Sequence, residues 1–287
     1  MKFSFIRDRR PRWLSVRRAC GLLGVSHSGY YKWLSEPVCP RKQRDLALAR
    51  AVEDVFIASK RRYGSPKVHR QLVALGHSVS KTKVERLMRQ AGLRSKVARR
   101  FRATTNSRHG LPVADNVLGR AFEAAKPNQI WGADITYVPT AEGWLYLAVV
   151  LDLYSRRVVG WGMGERLTAE LALSALRMAL ARRRPAPGLL HHSDRGVQYA
   201  CKEYVSKLAE YGATQSMSRK GNCWDNAPVE SFFRSLKTEL VYDARFQTRA
   251  QARQSIFEWL EVDYNGDRLH ESLGYVTPVA YERSRVS

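Results

Sequence analysis

A chain of 287 residues, 44% of them hydrophobic, holds enough apolar material for two or three packed units. No apolar run approaches the roughly 18 residues of a membrane span, the start MKFSFIRDRRPRW lacks the apolar centre of a secretory leader, and Cys20, Cys39, Cys201 and Cys223 form neither a C-x-x-C pair nor a zinc spacing; a cytoplasmic protein without disulfides is expected. There are 49 Lys and Arg against 26 Asp and Glu, and residues 1–125 carry 28 and 8 of them while residues 126–287 carry 21 and 18. A basic arm on a near-neutral unit suggests nucleic acid gripped by one part and worked on by the other.

In chain order, VRRACGLLGVSHSGYYKWL (16–34) reads as helix, tight turn, helix, with Gly24 in the turn and Ser26 as a cap. EPVCPRKQRD breaks the chain, and a helix over about 45–60 has Leu46, Ala49, Val52, Phe56 and Ile57 as its apolar stripe. In RRYGSPKVHRQLVALGHSVSKTKVERLMRQAGLR (61–94), Ser65 caps a helix with Pro66 at its first position and Val68, Leu72 and Val73 inward. Gly76 ends it. Ser80 caps a second helix with Val84, Leu87 and Met88 inside, and Lys81, Lys83, Arg86 and Arg89 on its other faces, before Gly92 stops it. This is a helix-turn-helix with a basic second helix, suited to a DNA groove, although a plain three-helix packing unit has the same pattern. Residues 95–116 lack hydrophobic periodicity and read as a basic linker, with Arg99, Arg100 and Arg102 as phosphate contacts. The resulting plan is a helix-turn-helix-like segment over 1–40, a helix-turn-helix DNA-binding domain over 41–95, a linker over 96–125 and a catalytic core over 126–287.

The texture then changes. QIWGADITYVPT, WLYLAVVLDLYS and RRVVGWGMG are strands, 168–184 is a helix, GLLHHSD is a fourth strand, CKEYVSKLAEYG a helix and ATQSMS a fifth strand. An antiparallel meander followed by βα units makes an α/β fold with a mixed five-stranded sheet, the ribonuclease-H-like order. The helix after it has Asn226 as its cap, Pro228 in its first turn, and Val229, Phe233, Leu236 and Leu240 as its buried face.

Three carboxylates stand out: Asp134 in the first strand, Asp194 after the fourth, and Glu230 on the last helix. If the first and fourth strands are neighbours, their aspartates converge and the helix can bring in the glutamate. Such a cluster suits hard divalent cations that stabilise the attacking and leaving oxygens of a phosphodiester. Each residue also has an ordinary reading: a polar residue on a half-exposed strand, a turn cap, and half of an i,i+4 pair with Arg234. Asp152 is placed to set the turn after its strand, Glu239 lies off the Glu230 stripe, and His191 and His192 have no partner spacing for zinc.

The motifs NQIWGADITYVPT, GWLYLAVVLDLYSRRVVGWGM, LLHHSDRGVQY, SMSRKGNCWDNAPVESFFRSLKTE and YNGDRLHESLGYVTPVAYE, with RRACGLLGVSHSGYY and RRYGSPKVHRQL upstream, resemble the OrfB-type transposases of the insertion-sequence-three family. The resemblance covers nearly the whole chain and implies an integrase-type catalytic core. It puts the D-D-E triad on Asp134, Asp194 and Glu230 and a basic partner on Lys237, with Lys237 and Arg234 as DNA contacts. It also implies two Mg²⁺ ions, replaceable by Mn²⁺, double-stranded transposon-end and target DNA, and a homo-oligomer on DNA. A protein from the upstream reading frame is implied as fusion partner or separate subunit. The expected activity is cleavage of element ends and strand transfer; the alternatives are a DNA-binding regulator or assembly subunit, and a nuclease that hydrolyses without joining.

Overall fold

The computed structural model describes residues 1–35, 40–96, 111–220 and 222–285, apart from the side chains of Pro40 and Cys223. They form two compact units, Met1–Ser95 and Lys96–Ser287. No helix among the described residues is long and apolar enough to cross a membrane.

In the first unit, α1 (Lys2–Arg9), α2 (Val16–Leu22) and α3 (His27–Ser35) close around Ile6, Ala19, Cys20 and Tyr30. The Ser15 side chain accepts from the Arg18 N–H, and the Ser26 hydroxyl from Gly29, so both helices start on a capped turn. Gly24 takes the left-handed φ of 59° that the intervening turn needs.

The next three helices, α4 (Pro40–Ala58), α5 (Ser65–Ala74) and α6 (Lys81–Gln90), bury Val52, Val55, Phe56, Val68, Leu72, Val84, Leu87 and Met88. Four details differ from expectation. Helix α4 begins at Pro40, because proline is tolerated in a first turn, where its missing N–H costs nothing. Its buried side is Val52, Val55 and Phe56, while Leu46 and Ile57 face out. Val73 is also exposed. The cap position of α5 is Gly64, with Ser65 already helical and no side-chain cap bond. Ser80 caps α6 through the Lys83 N–H as expected.

The second unit holds β1 (Ile130–Thr140), β2 (Gly143–Asp152), β3 (Val158–Gly164), α7 (Ala169–Arg183), β4 (Leu190–Ser193), α8 (Val197–Ala200), α9 (Lys202–Glu210) and β5 (Thr214–Met217). The sheet order is β3-β2-β1-β4-β5, antiparallel in the meander and parallel from β1 to β5. On one face Trp131, Ala133 and Val150 pack with Leu171, Leu176 and Tyr204. Here β3 presents bare backbone to α7: a Cβ on Gly160 would lie 2.1 Å from the Ala175 carbonyl oxygen, and one on Gly162 2.1 Å from Ser174 Oγ.

On the other face a 3₁₀ turn (Cys223–Asn226) leads into α10 (Ala227–Leu236), which continues as a π-turn (Lys237–Val241). Then come α11 (Arg249–Glu258), a π-helical stretch (Trp259–Asp267) and α12 (Pro278–Arg283). Val229, Phe232, Phe233, Leu236, Ile256 and Trp259 pack there on Val138, Leu145 and Val149. Phe232 joins the expected face, and Leu240 is only half-buried because the π-turn shifts the helical phase.

Residues 111–125 are not a loose linker. Leu118 is buried, its N–H donates to Ser216 Oγ at 3.1 Å, and the Met217 N–H donates to the Asp115 carbonyl. The segment lies along β5 and covers that edge of the sheet. Arg99, Arg100 and Arg102 lie outside the described residues.

Candidate active site

Strand pairing sets the first two carboxylates. Ile130 pairs with Leu190, Trp131 with His191 and Gly132 with His192. The same offset carries Asp134 level with Asp194, just past the last pair. The Asp134 carboxylate accepts the Ile135 N–H at 2.7 Å. Asp194 accepts the Gly196 N–H at 2.9 Å, so it both starts the turn into α8 and faces β1. A Cβ at Gly196 would approach Gln198 Oε1 and Asp194 Oδ1 to 2.9 and 3.0 Å, so those side-chain ends would have to shift.

Two features bring α10 onto β1. Gly132 leaves space for Val229, whose Cγ2 would lie 2.7 Å from a Cβ there. Asn226, buried, donates through Nδ2 to the Ala133 carbonyl at 3.1 Å. Asn226 therefore does not cap α10 with its side chain; it binds the helix start to the residue before Asp134. Pro228 occupies the first turn, as expected, and Glu230 follows, half-buried.

The electrostatics join these groups. Burial first, then the Asp194 charge and more weakly Glu230, push the Asp134 pKa well above the ordinary value, against the Ile135 N–H and Lys237. Burial raises Glu230 too, opposed by Arg234. Lys237 is lowered by burial, opposed by Asp134. Only 7% exposed, it lies over the Tyr137 ring at 5.2 Å, two turns along the helix from Glu230 and beside Asp134. Arg234 is exposed one turn beyond Glu230.

Among the described residues no three His, Cys, Asp or Glu side chains stand close enough to hold a metal together. Asp134 feels the charge of Asp194 and, more weakly, that of Glu230, which places both carboxylates near it. The donor set fits a hard divalent cation nonetheless. It is all carboxylate oxygen, and the unfavourable charge at Asp134 is what a cation relieves. Tyr199 is a further group that the sequence reading missed. Its buried hydroxyl has no hydrogen-bond partner among the described residues, and its pKa is pushed well up by burial and by the charges of Asp134 and Asp194. Its place in SDRGVQY, five residues after Asp194, was the available signal.

The competing residues have structural work. Asp152 accepts from the Asn128 and Tyr154 N–H groups and pairs with Arg183 at 3.2 Å, setting the turn as expected. Glu239 pairs with Arg268 at 2.8 Å. His191 bonds to the Tyr204 hydroxyl, and His192 to Ser216 and Ser218; burial drives them down to about 3 and about 4, as neutral core imidazoles. On α6, Lys81, Arg86 and Arg89 are exposed, Arg89 in an i,i+4 pair with Glu85, while half-buried Lys83 pairs with Asp45 at 2.7 Å. Cys20 is buried and Cys201 half-buried, both free thiols.

Comparison with known proteins gives the family. Two integrase core domain models match residues 124–223 and 211–278, and an HTH-like domain model matches residues 42–101. The insertion element IS600 uncharacterized 31 kDa protein of Shigella sonnei is 46% identical over 91% of this chain and 96% of its own. Transposase InsF for insertion sequence IS3A of Escherichia coli K12 is 41% identical over the full length of both. Among solved structures, a chain of the simian T-cell lymphotropic virus intasome in complex with PP2A regulatory subunit B56 gamma is 19% identical, with a TM-score of 0.48 over 76% of this chain and 72% of that one. The HTLV-2 integrase catalytic core domain in complex with magnesium is 17% identical, with a TM-score of 0.41 over 55% of this chain and 98% of that one. The motifs, the paired aspartates and full-length similarity to InsF agree: this chain belongs to the IS3 family of insertion-sequence transposases, with an integrase catalytic core and an HTH-like domain.

Proposed function

We propose that the chain cleaves DNA at the ends of its element and joins the exposed 3′-hydroxyls to target DNA, using Asp134, Asp194 and Glu230 as cation-holding carboxylates with Lys237 beside them. The observation that carries this is the meeting of Asp134 and Asp194 from neighbouring parallel strands, with the helix bearing Glu230 bonded to the strand of the first. Water attacks the phosphodiester and leaves a 3′-hydroxyl; that hydroxyl then attacks a second phosphodiester in target DNA and displaces its 3′ oxygen. Divalent cations, two Mg²⁺ with Mn²⁺ as a replacement, supply Lewis-acid stabilisation of the attacking and leaving oxygens when bound. Asp134 and Asp194 provide the fixed part of the site. Glu230, half-buried in the first turn of α10, is the third carboxylate. Lys237 counters the Asp134 charge from within the protein.

Lys81, Lys83, Arg86 and Arg89 on α6 hold duplex phosphates, with Arg99, Arg100 and Arg102 continuing the grip and Arg234 contacting phosphate beside the site. The partners are transposon ends and target DNA, a second copy of the chain holding the other end, and the upstream-frame protein as fusion or subunit. Nicking and strand joining on a duplex oligonucleotide bearing the element's end, in Mg²⁺, test this reading. Glu230→Gln should lose at least about 100-fold in both steps while still binding the duplex. Wild-type rates in that variant sink the assignment.

A further inference from the structure

Trp224 is 69% exposed. A single exposed indole is ordinary on a protein surface; this one is distinguished by its mounting and its neighbours. Trp224 sits in the 3₁₀ turn before α10, where its backbone N–H donates to Asn222 Oδ1 at 3.2 Å. The next residue, Asp225, is fully buried and takes hydrogen bonds from Asn116 Nδ2, from Arg120 Nε, and from the backbone N–H and guanidinium of Arg219, at 2.7–2.9 Å. The residue after that, Asn226, holds the Ala133 carbonyl. The chain is thus pinned immediately beyond the indole, which reduces the entropy lost when a ligand settles on it.

The surroundings are cationic. Arg120 and Arg219 keep 44% and 55% of their side chains exposed while bonded to Asp225. Lys220 is exposed on the same loop, and the Arg195 guanidinium is fastened to the Ser218 carbonyl at 2.6 Å. A flat apolar face among cations is how proteins hold single-stranded nucleic acid: bases stack on the ring while phosphates take the charges. A base within a duplex already has both faces covered, so the indole suits one that has left the stack. Asn226, two residues along the chain from the indole, is bonded to the residue before Asp134, so the turn that carries the indole is anchored at the strand of the site.

We infer that Trp224 is a nucleobase-binding residue, stacking on an unpaired or extruded base next to the bond being cut, with Arg120, Arg195, Arg219 and Lys220 holding the flanking phosphates. This rests on the DNA-cleavage reading above. It gives the site a means of choosing frayed ends over continuous duplex, because only a freed base offers a face to the ring.

The test uses the full chain, without divalent metal, and a duplex carrying the element's end, either blunt or with a short single-stranded fork containing 2-aminopurine. Wild type should bind the forked end more tightly and quench the 2-aminopurine fluorescence. Trp224→Ala should weaken forked binding about tenfold, leave blunt binding within about twofold and abolish the quench, while Trp224→Phe keeps most of each. Unchanged forked affinity and quench in Trp224→Ala, or equal loss on both ends, overturns the inference. Mg²⁺-dependent cleavage of the same DNA by wild type, run in parallel, separates the two ideas. Cleavage with an unaltered fork preference in Trp224→Ala sinks the stacking alone. No cleavage, with the fork preference lost in that variant, sinks the enzymatic reading alone.

Discussion

Removing the amide of Asn226 separates what holds α10 together from what aims it. Asn226 is buried, and its Nδ2 meets the Ala133 carbonyl at 3.1 Å, one residue beyond the last β1–β4 pair. Asn226→Ala leaves that acceptor without its donor and opens a small void, a loss of about 1–3 kcal/mol. Asn226→Asp should be worse, since an ionised carboxylate would turn an acceptor toward an acceptor. Chemical denaturation of the full chain, followed by tryptophan fluorescence, measures both. The functional effect should be larger than the stability effect. A misplacement of about 1 Å in a catalytic group can cost roughly 100-fold in rate, and the Asn226 bond sets the start of the helix that carries Glu230. Cleavage by Asn226→Ala at saturating DNA and Mg²⁺ should therefore fall about 100-fold at a temperature where the variant is still folded. If it is destabilised as expected yet cleaves at the wild-type rate, Asn226 does not aim Glu230 and the argument is wrong.

Three further outcomes follow from the same packing. Glu282, on α12, is joined to Arg183 at 2.7 Å, to Arg157 and to Ser155; Glu282→Ala should cost about 1.5–3 kcal/mol, because half-buried Arg183 loses its charge-assisted bonds to Glu282 and keeps only those to Asp152 and the Asn128 side chain, and hydrogen exchange should show α12 losing protection first. Burial holds His191 at about 3, below its ordinary 6.5, so the unfolded chain takes up the proton first and stability falls as pH drops from 6.5 toward 3. The slope from this one group is at most about 1.4 kcal/mol per pH unit; denaturation midpoints across that range should show it, and His191→Gln should flatten it. Gly160→Ala drives a Cβ to 2.1 Å from the Ala175 carbonyl oxygen, so α7 must lift from β3, with a loss of about 1–3 kcal/mol in the denaturation midpoint; an unshifted midpoint would mean that the helix has room to move.

Much of the core was legible in one dimension. Alternating and continuous apolar runs mark β1, β2 and β3, and the glycines and caps mark the helix ends, because strand and helix periods are local properties of the backbone. Even the meeting of Asp134 and Asp194 was within reach, since a constant register between parallel neighbours turns a sequence interval into a spatial one. What was misread depended on distant partners. Residues 111–125 look like a linker because their few apolar side chains show no period, yet Leu118 and Asn116 find partners on β5 and in the turn before α10. Asn226 looks like a helix cap because asparagine commonly is one, and nothing local reveals that a strand carbonyl competes for its amide. Nothing local shows that Lys237 lies over the Tyr137 ring of β1, only 7% exposed and beside Asp134.

The sequence by itself determined the element order, the basic arm, the family and the three carboxylates, because these follow from composition, short-range periodicity and motif spacing. The tertiary structure alone decided which asparagine fastens the helix to the strand, how residues 111–125 come to lie along β5, and how an indole is held in the open on the turn before α10. Those outcomes depend on long-range packing, where a bare glycine or a single buried amide sets distances that no interval along the chain encodes.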